Sequence, residues 1–193
     1  DGISGVKITA IAAGSRYTVL LDESGNVWTV GSNGYGELGR ATEGTLDNVF
    51  GKADLQGATG AKFIAACGSA TVVIDIDGNA RTCGINSGHL GRPVTESSNP
   101  ELLKVENGIG NTKMIAAAIG TYHTVLLDEN GGMWTCGKNQ CGQICRTEGF
   151  GEYATVAKTF ATVTDGIIQT MTFDEMKNTL ITSDRLFTVT AVA

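Results

Sequence analysis

The chain has 193 residues, 41% of them hydrophobic and 18% charged, with 27 glycines against two prolines. That is enough apolar side chain for a packed core and too much for a disordered tail, and the glycine excess marks an all-β chain with many tight turns. A formal net charge of −6 without any Lys/Arg run excludes the electrostatic footprint of a direct nucleic-acid binder, and no apolar run approaches the roughly 20 residues of a bilayer span, so no membrane insertion is expected.

The first recognisable unit runs from Ile11 to Asn33. Thr18–Leu21 is apolar and β-branched, as a strand requires, and Asp22-Glu-Ser-Gly25 closes it with a turn in which Asp bonds its own backbone and Gly takes positive φ. A second strand follows with Trp28 beside Thr29; a bulky residue here is suited to filling the gap between adjacent sheets. Gly31 and Asn33 then open a glycine-rich corner, Gly36-Glu-Leu-Gly39-Arg40, which Asn33 is expected to cap.

The unit returns twice. The second copy carries Thr71–Ile74, Asp75 to Gly78, Arg81-Thr82, Gly84, Asn86 and the corner Gly88-His89-Leu90-Gly91-Arg92. The third carries Gly120 (matching Gly14), His123, Thr124–Leu127, Asp128 to Gly131, Trp134-Thr135, Gly137, Asn139 and the corner Gly142-Gln143-Ile144-Cys145-Arg146. Trp28, Arg81, Trp134 and Phe187 stand 53 residues apart, and so do Thr29, Thr82, Thr135 and Thr188. A degenerate fourth copy therefore begins near Ile167, with Thr190 and Val192 where Gly and Asn belong. The roughly twenty residues between copies leave room for the other two strands of a four-stranded propeller blade. No copy has the 3.6-residue periodicity of a helical solenoid. The expected organisation is a single segment, 1–193, with repeats at about 8–60, 61–113, 114–166 and, in part, 167–193.

The composite string Gly-x-x-(His/Tyr)-Thr-Val-Leu-Leu-Asp-x-x-Gly-x-x-Trp-Thr-x-Gly-x-Asn-x-x-Gly-(Gln/Glu)-(Leu/Ile)-Gly resembles the repeat of the regulator of chromosome condensation family. It is best met by Gly14–Arg40 and Gly120–Arg146 and least after Ile167. The resemblance implies an all-β fold of propeller blades, each of four antiparallel strands, with about three and a half blades of a seven-bladed ring present. Gly14, Trp28, Gly31, Asn33, Gly84, Asn86, Gly120, His123, Trp134, Gly137 and Asn139 are then structural repeat positions. An open arc leaves apolar blade faces wet, so further blades, a second copy or another protein must cover them. The chain begins at Asp1 without Met and ends inside the apolar run Leu186–Ala193, and further sequence is the expected cover.

Candidate chemistry is sparse. Cys136, Cys141 and Cys145 have the proximity of a zinc site, but the repeat puts Cys136 on a strand and the other two in a corner, so packing is the expected role. Asp22, Asp75 and Asp128 recur because each closes a hairpin. There is no phosphate loop, no nucleophile elbow and no paired-histidine zinc helix, so neither catalysis nor a cofactor nor a metal is expected. The residues singled out for partner contact are Arg40, His89, Arg92, Gln143 and Arg146, which gather in corners on one side of the ring; the arginines have an alternative local role, bonding carbonyls of the next blade. The expected function is a non-catalytic protein-binding scaffold within a cytoskeletal, ubiquitin-ligase or trafficking assembly. The family resemblance implies an alternative, guanine-nucleotide exchange on a Ran-like small GTPase, and a secreted inhibitor is a third class. Five cysteines, an odd number, argue against a disulfide framework and for a reducing compartment, the cytoplasm with the nucleus and cytoskeleton as alternatives.

Overall fold

Each Asp-x-x-Gly segment closes a hairpin, and each hairpin gains one strand on either side. In the computed structural model, whose described residues are 2–93, 97–106, 108–146 and the backbone of 157–162, this gives twelve strands in three sheets. The first sheet holds β1 (Ile8–Ala13), β2 (Tyr17–Asp22), β3 (Val27–Ser32) and β4 (Leu46–Lys52). The second holds β5 (Ala61–Cys67), β6 (Ala70–Asp75), β7 (Ala80–Ile85) and β8 (Ser98–Lys104). The third holds β9 (Met114–Ile119), β10 (His123–Asp128), β11 (Met133–Gly137) and β12 (Ala157–Thr162). All three are antiparallel meanders with strands in sequence order. There is no helix among the described residues. The chain divides into two compact units, Asp1–Val163 and Thr164–Ala193. The second unit, and with it the partial repeat at 167–193, Phe187 and Thr188, lies outside the described residues.

The 53-residue step is conserved in the pairing register. Tyr17 faces Gly31 across β2 and β3, Ala70 faces Gly84 across β6 and β7, and His123 faces Gly137 across β10 and β11. Register this constant turns the same residue numbers of each copy toward the same neighbour, because side chains alternate faces with a period of two.

The sheets stack face to face as blades. Tyr17, Val19 and Leu21 from the first meet Ile64, Val73, Cys83 and Leu102 of the second in one core. Val72 and Ile74, on the opposite face of β6, join Met114, Leu126 and Cys136 of the third in another. The second sheet is therefore clamped on both faces, and all six residues of β6 are buried. The lead strands β1, β5 and β9 touch one another in turn, which places them at the inner edge of the arc. Three four-stranded antiparallel blades packed in this way make the chain a β-propeller segment.

Candidate functional site

Every hairpin is locked by its aspartate. Asp22 Oδ1 accepts the Ser24 and Asn26 amides at 2.9 Å each, and Oδ2 accepts Asn26 Nδ2 and Trp28 Nε1 at 2.8 Å each. Asp128 repeats this with the Asn130 and Gly132 amides and with Trp134 Nε1 at 2.8 Å. In the second blade Asp75 Oδ2 takes the same bond from Arg81 Nε at 3.0 Å. Arginine at a tryptophan position thus keeps the one feature the hairpin needs, an N–H donor six residues after the acid. Burial by itself raises the Asp22 and Asp75 carboxyls, but the hydrogen bonds outweigh it and both lie below the ordinary value. The tryptophans are only partly buried, so their indole N–H matters to the hairpin as well as their bulk to the gap between sheets.

The corners are built by four recurring bonds. Gly31, Gly84 and Gly137 have positive φ, and a Cβ there would lie 2.6, 2.1 and 2.3 Å from the carbonyl oxygens of Arg16, Ser69 and Tyr122. Those carbonyls accept the next amide, from Ser32, Ile85 and Lys138, at 2.9, 2.8 and 2.8 Å. The asparagine then caps the corner: Asn33 Oδ1 accepts the Leu38 amide at 3.1 Å and Asn139 Oδ1 the Ile144 amide at 3.2 Å. Asn86 accepts from Gly88 instead, at 3.0 Å, because its corner is one residue shorter. A strand threonine donates to the leucine or isoleucine carbonyl, Thr29 to Leu38, Thr82 to Leu90 and Thr135 to Ile144, at 2.9, 2.8 and 2.8 Å. Last, Arg40, Arg92 and Arg146 reach back to the carbonyls of those same threonines at 3.1, 3.1 and 3.0 Å.

The next blade then closes on the corner. Thr71 Oγ1 donates to the Glu37 carbonyl at 2.7 Å, and Thr124 Oγ1 to the His89 carbonyl at 2.6 Å. At the first seam Tyr17 adds a cross-blade bond, its hydroxyl donating to the Ala70 carbonyl at 2.6 Å; burial pushes that phenol far above its ordinary range. Tyr17 and His123 lie over Gly14 and Gly120, where a Cβ would sit 1.9 and 2.4 Å from the ring, so glycine three residues before the aromatic is a steric requirement.

Arg40 adds an ion pair to Asp47 at 2.9 Å, and Arg92 is 9% exposed, its guanidinium pushed down by burial. The bonds these two arginines make are to carbonyls of their own blade, a correction to the expected carbonyls of the next one. His89, singled out for partner contact, is instead buried, 1% exposed, and Thr124 of the third blade donates to its carbonyl. Its Nδ1 has no hydrogen-bond partner, and burial, with His123 nearby, pushes its pKa down to about 4. Gln143, half-buried, accepts the Cys141 amide at 2.9 Å, as Glu37 accepts that of Tyr35 at 2.8 Å.

Cys83 and Cys136 are buried strand residues whose thiols are pushed up by burial, Cys83 to about 12, so both stay protonated. Cys141 and Cys145 are exposed. Among the described residues no group of three or more His, Cys, Asp or Glu side chains is placed to hold a metal. Side chains free to meet a partner on the corner side include Tyr35, 38% exposed, and Tyr122, 49% exposed with Lys138 Nζ 5.0 Å from its ring centroid. Neither stands at a recurring residue type, so the repeat gave no signal for them.

Residues 8–37 and 115–143 match the family model of the regulator of chromosome condensation (RCC1) repeat. Over 145 residues the chain is 34% identical to the regulator of chromosome condensation of Xenopus laevis, covering 72% of this chain and 32% of that one. It is 29% identical over 154 residues to the human E3 ubiquitin-protein ligase HERC2, covering 75% of this chain and 3% of the ligase. The chain thus spans about a third of the length of the regulator it matches. The crystal structure of Prp20p from Saccharomyces cerevisiae, described with its binding properties to Gsp1p and histones, superposes with a TM-score of 0.67 at 19% identity, over 82% of this chain and 38% of that one. At that identity the likeness is one of fold.

Proposed function

Because the chain belongs to the regulator of chromosome condensation repeat family, we propose that it is a non-catalytic scaffold that binds another protein through the corner side of a larger propeller. The observation that carries this reading is the use made of its recurring polar side chains. Asp, Asn, Thr and Arg of each copy are spent on holding hairpins and corners rigid, which leaves a stiff platform with exposed tyrosines and, among the described residues, no group set against a nucleophile. Rigid aromatic side chains are the usual anchors of protein interfaces. The match to 3% of HERC2 supports the same view, since there the repeats accompany chemistry that lies in other parts of the protein. Further blades or a partner complete the ring: Ile11 is 77% exposed, and Val125 and Leu127 are half-buried where their counterparts Val72 and Ile74 are buried. The expected compartment is intracellular, cytoplasmic or nuclear.

The test is cross-linking of the tagged full chain in cells, followed by reconstitution with the purified partner. Tyr35→Ala and Tyr122→Ala should each weaken binding about tenfold or more while leaving the urea midpoint unchanged. A chain that stays free and monomeric in cells, or binding indifferent to both tyrosines, counts against this surface.

A second reading is the one the family resemblance implies, nucleotide exchange on a small GTPase of the Ran class, and the Prp20p structure, described with binding to Gsp1p, is in keeping with a protein partner. An exchange factor needs no nucleophile, so the corner geometry is compatible with it. Release of a labelled nucleotide from such a GTPase at the spontaneous rate in the presence of the chain would remove this reading, and acceleration would displace the first.

A further inference from the structure

The two seams between blades share a plan but not their polar contents. At the first, Tyr17 hydroxyl, Thr71 and the Glu37 carbonyl form one continuous set of bonds, and the Glu37 carboxylate caps its own corner. At the second, Ala70 stands where Tyr17 stands one copy earlier, and the corner residue is His89, a buried imidazole with Nδ1 unpartnered. An orphaned nitrogen inside a core costs stability even when neutral. A proton on that ring costs far more, because a buried charge without a counter-ion is the least tolerated group in a protein interior.

Among the described residues no carboxylate is paired with His89. From β10 come His123 and Thr124, the first of like charge once protonated and the second already bonded to the His89 carbonyl. Cys136 of β11, a thiol kept neutral by burial, and the apolar Val72 of β6 belong to the buried core between the second and third blades. On its own corner Arg92 is turned to the carbonyls of Thr82 and Glu101. None of the ion pairs among the described residues includes either imidazole.

We infer that the second seam is a proton-sensitive latch, closed while His89 is neutral and released when its imidazole takes up a proton. The direction follows from linkage. A histidine whose folded pKa lies below its unfolded value gives its full stabilisation above the unfolded pKa, and loses it as pH falls toward the folded one. With 6.5 as the ordinary value and about 4 in the fold, the folding constant drops about thirtyfold between pH 7.5 and pH 5 through this one group. His123, also held down by burial, acts in the same direction. The first seam has no histidine and serves as the internal control.

The experiment is hydrogen–deuterium exchange on the full chain between pH 7.5 and 5, corrected for intrinsic rates, beside urea unfolding of wild type and His89→Gln. Protection of residues 89–91 and 124–126 should fall before that of 37–39 and 71–73, and H89Q should lose the thirtyfold component of the pH dependence. Equal loss at both seams, or an H89Q pH profile that superposes on wild type, overturns the latch. Should H89Q fail to fold, the imidazole proton resonances of the wild-type protein decide instead: titration of His89 near pH 6.5 is the refuting result, and titration well below it the supporting one.

Discussion

The second blade departs from the two that flank it at several positions that define the repeat, yet its hairpin strands are the most completely buried of the three. Where blades one and three have tryptophan it has Arg81; where they have an aromatic over a glycine it has Ala70 preceded by Cys67. Its corner is one residue shorter, and the capping Glu or Gln is His89. These departures come in compensating sets. Arg81 is tolerated because it still donates to Asp75, and Cys67 because no ring lies over it. Asn86 shifts its bond to Gly88 because the corner has closed up. What recurs in this fold is therefore the bond, and residue identity follows from whichever pair can make it.

The largest expected effect breaks the Arg81 compensation. Asp75 is 0% exposed and holds Asn79 and Arg81, which is itself 8% exposed. Asp75→Ala strands a buried guanidinium and should cost about 3–5 kcal/mol, the range for removing one partner of a buried ion pair. Asp22→Ala releases the indole of a partly exposed Trp28, which water can reach, and should cost only about 1–3 kcal/mol. Urea midpoints at constant slope measure both. Equal costs would mean that the buried arginine finds another partner and that its pairing with Asp75 is incidental.

The aromatic–glycine pair gives the next effect. Ala70→Tyr puts a ring over the Cβ of Cys67 in a filled core and should cost about 1–3 kcal/mol, as overpacking does. Cys67→Gly in the same chain should recover part of that, giving a favourable coupling in a double-mutant cycle. Gly14→Ala in the first blade is the mirror experiment: a Cβ there would lie 1.9 Å from the Tyr17 ring, and Tyr17→Ala should relieve the damage. Additive costs in both cycles would show that glycine is held at this position by something other than the ring.

How much of this was legible in the sequence depends on the range of the interaction. The hairpins were, because Asp-x-x-Gly and the β-branched run before it act within a few residues. Blade boundaries were legible from the period. The inner strands β1 and β5 and the outer strands β4 and β8 could be inferred only from the length of chain between copies, since Leu46–Lys52 carries no alternating pattern. The Trp-to-Asp bond was hidden in a constant six-residue offset that Arg81 disguises. The burial of His89 was not legible at all. It depends on Thr124, 35 residues further on, and a glycine-flanked histidine in a loop reads locally as exposed. The exposed Tyr122 was missed for the opposite reason: a side chain the fold does not need leaves no trace in the repeat.

The smallest effect bears on the bond that both seams keep. Thr71 and Thr124 each donate across the seam into a corner carbonyl, and Thr18 occupies the same register position in β2, half-buried and with no side-chain bond among the described residues. Valine matches threonine in shape and removes only the hydroxyl, which at Thr71 also lies within bonding distance of the Tyr17 hydroxyl at 3.0 Å. Thr124→Val leaves the His89 carbonyl without its donor and should cost about 1–2 kcal/mol. Thr71→Val should cost somewhat less, about 1 kcal/mol, because the Cys83 thiol at 3.6 Å still faces the Glu37 carbonyl and supplies a weak donor in its place. Thr18→Val should fall within about 0.5 kcal/mol of wild type, as surface substitutions do. If all three cost the same, the loss belongs to strand propensity and not to the seam; if only Thr18→Val is silent, blade-to-blade bonding is carried by a single hydroxyl at the head of each second strand, and the aromatic that the second blade lacks is an addition to it.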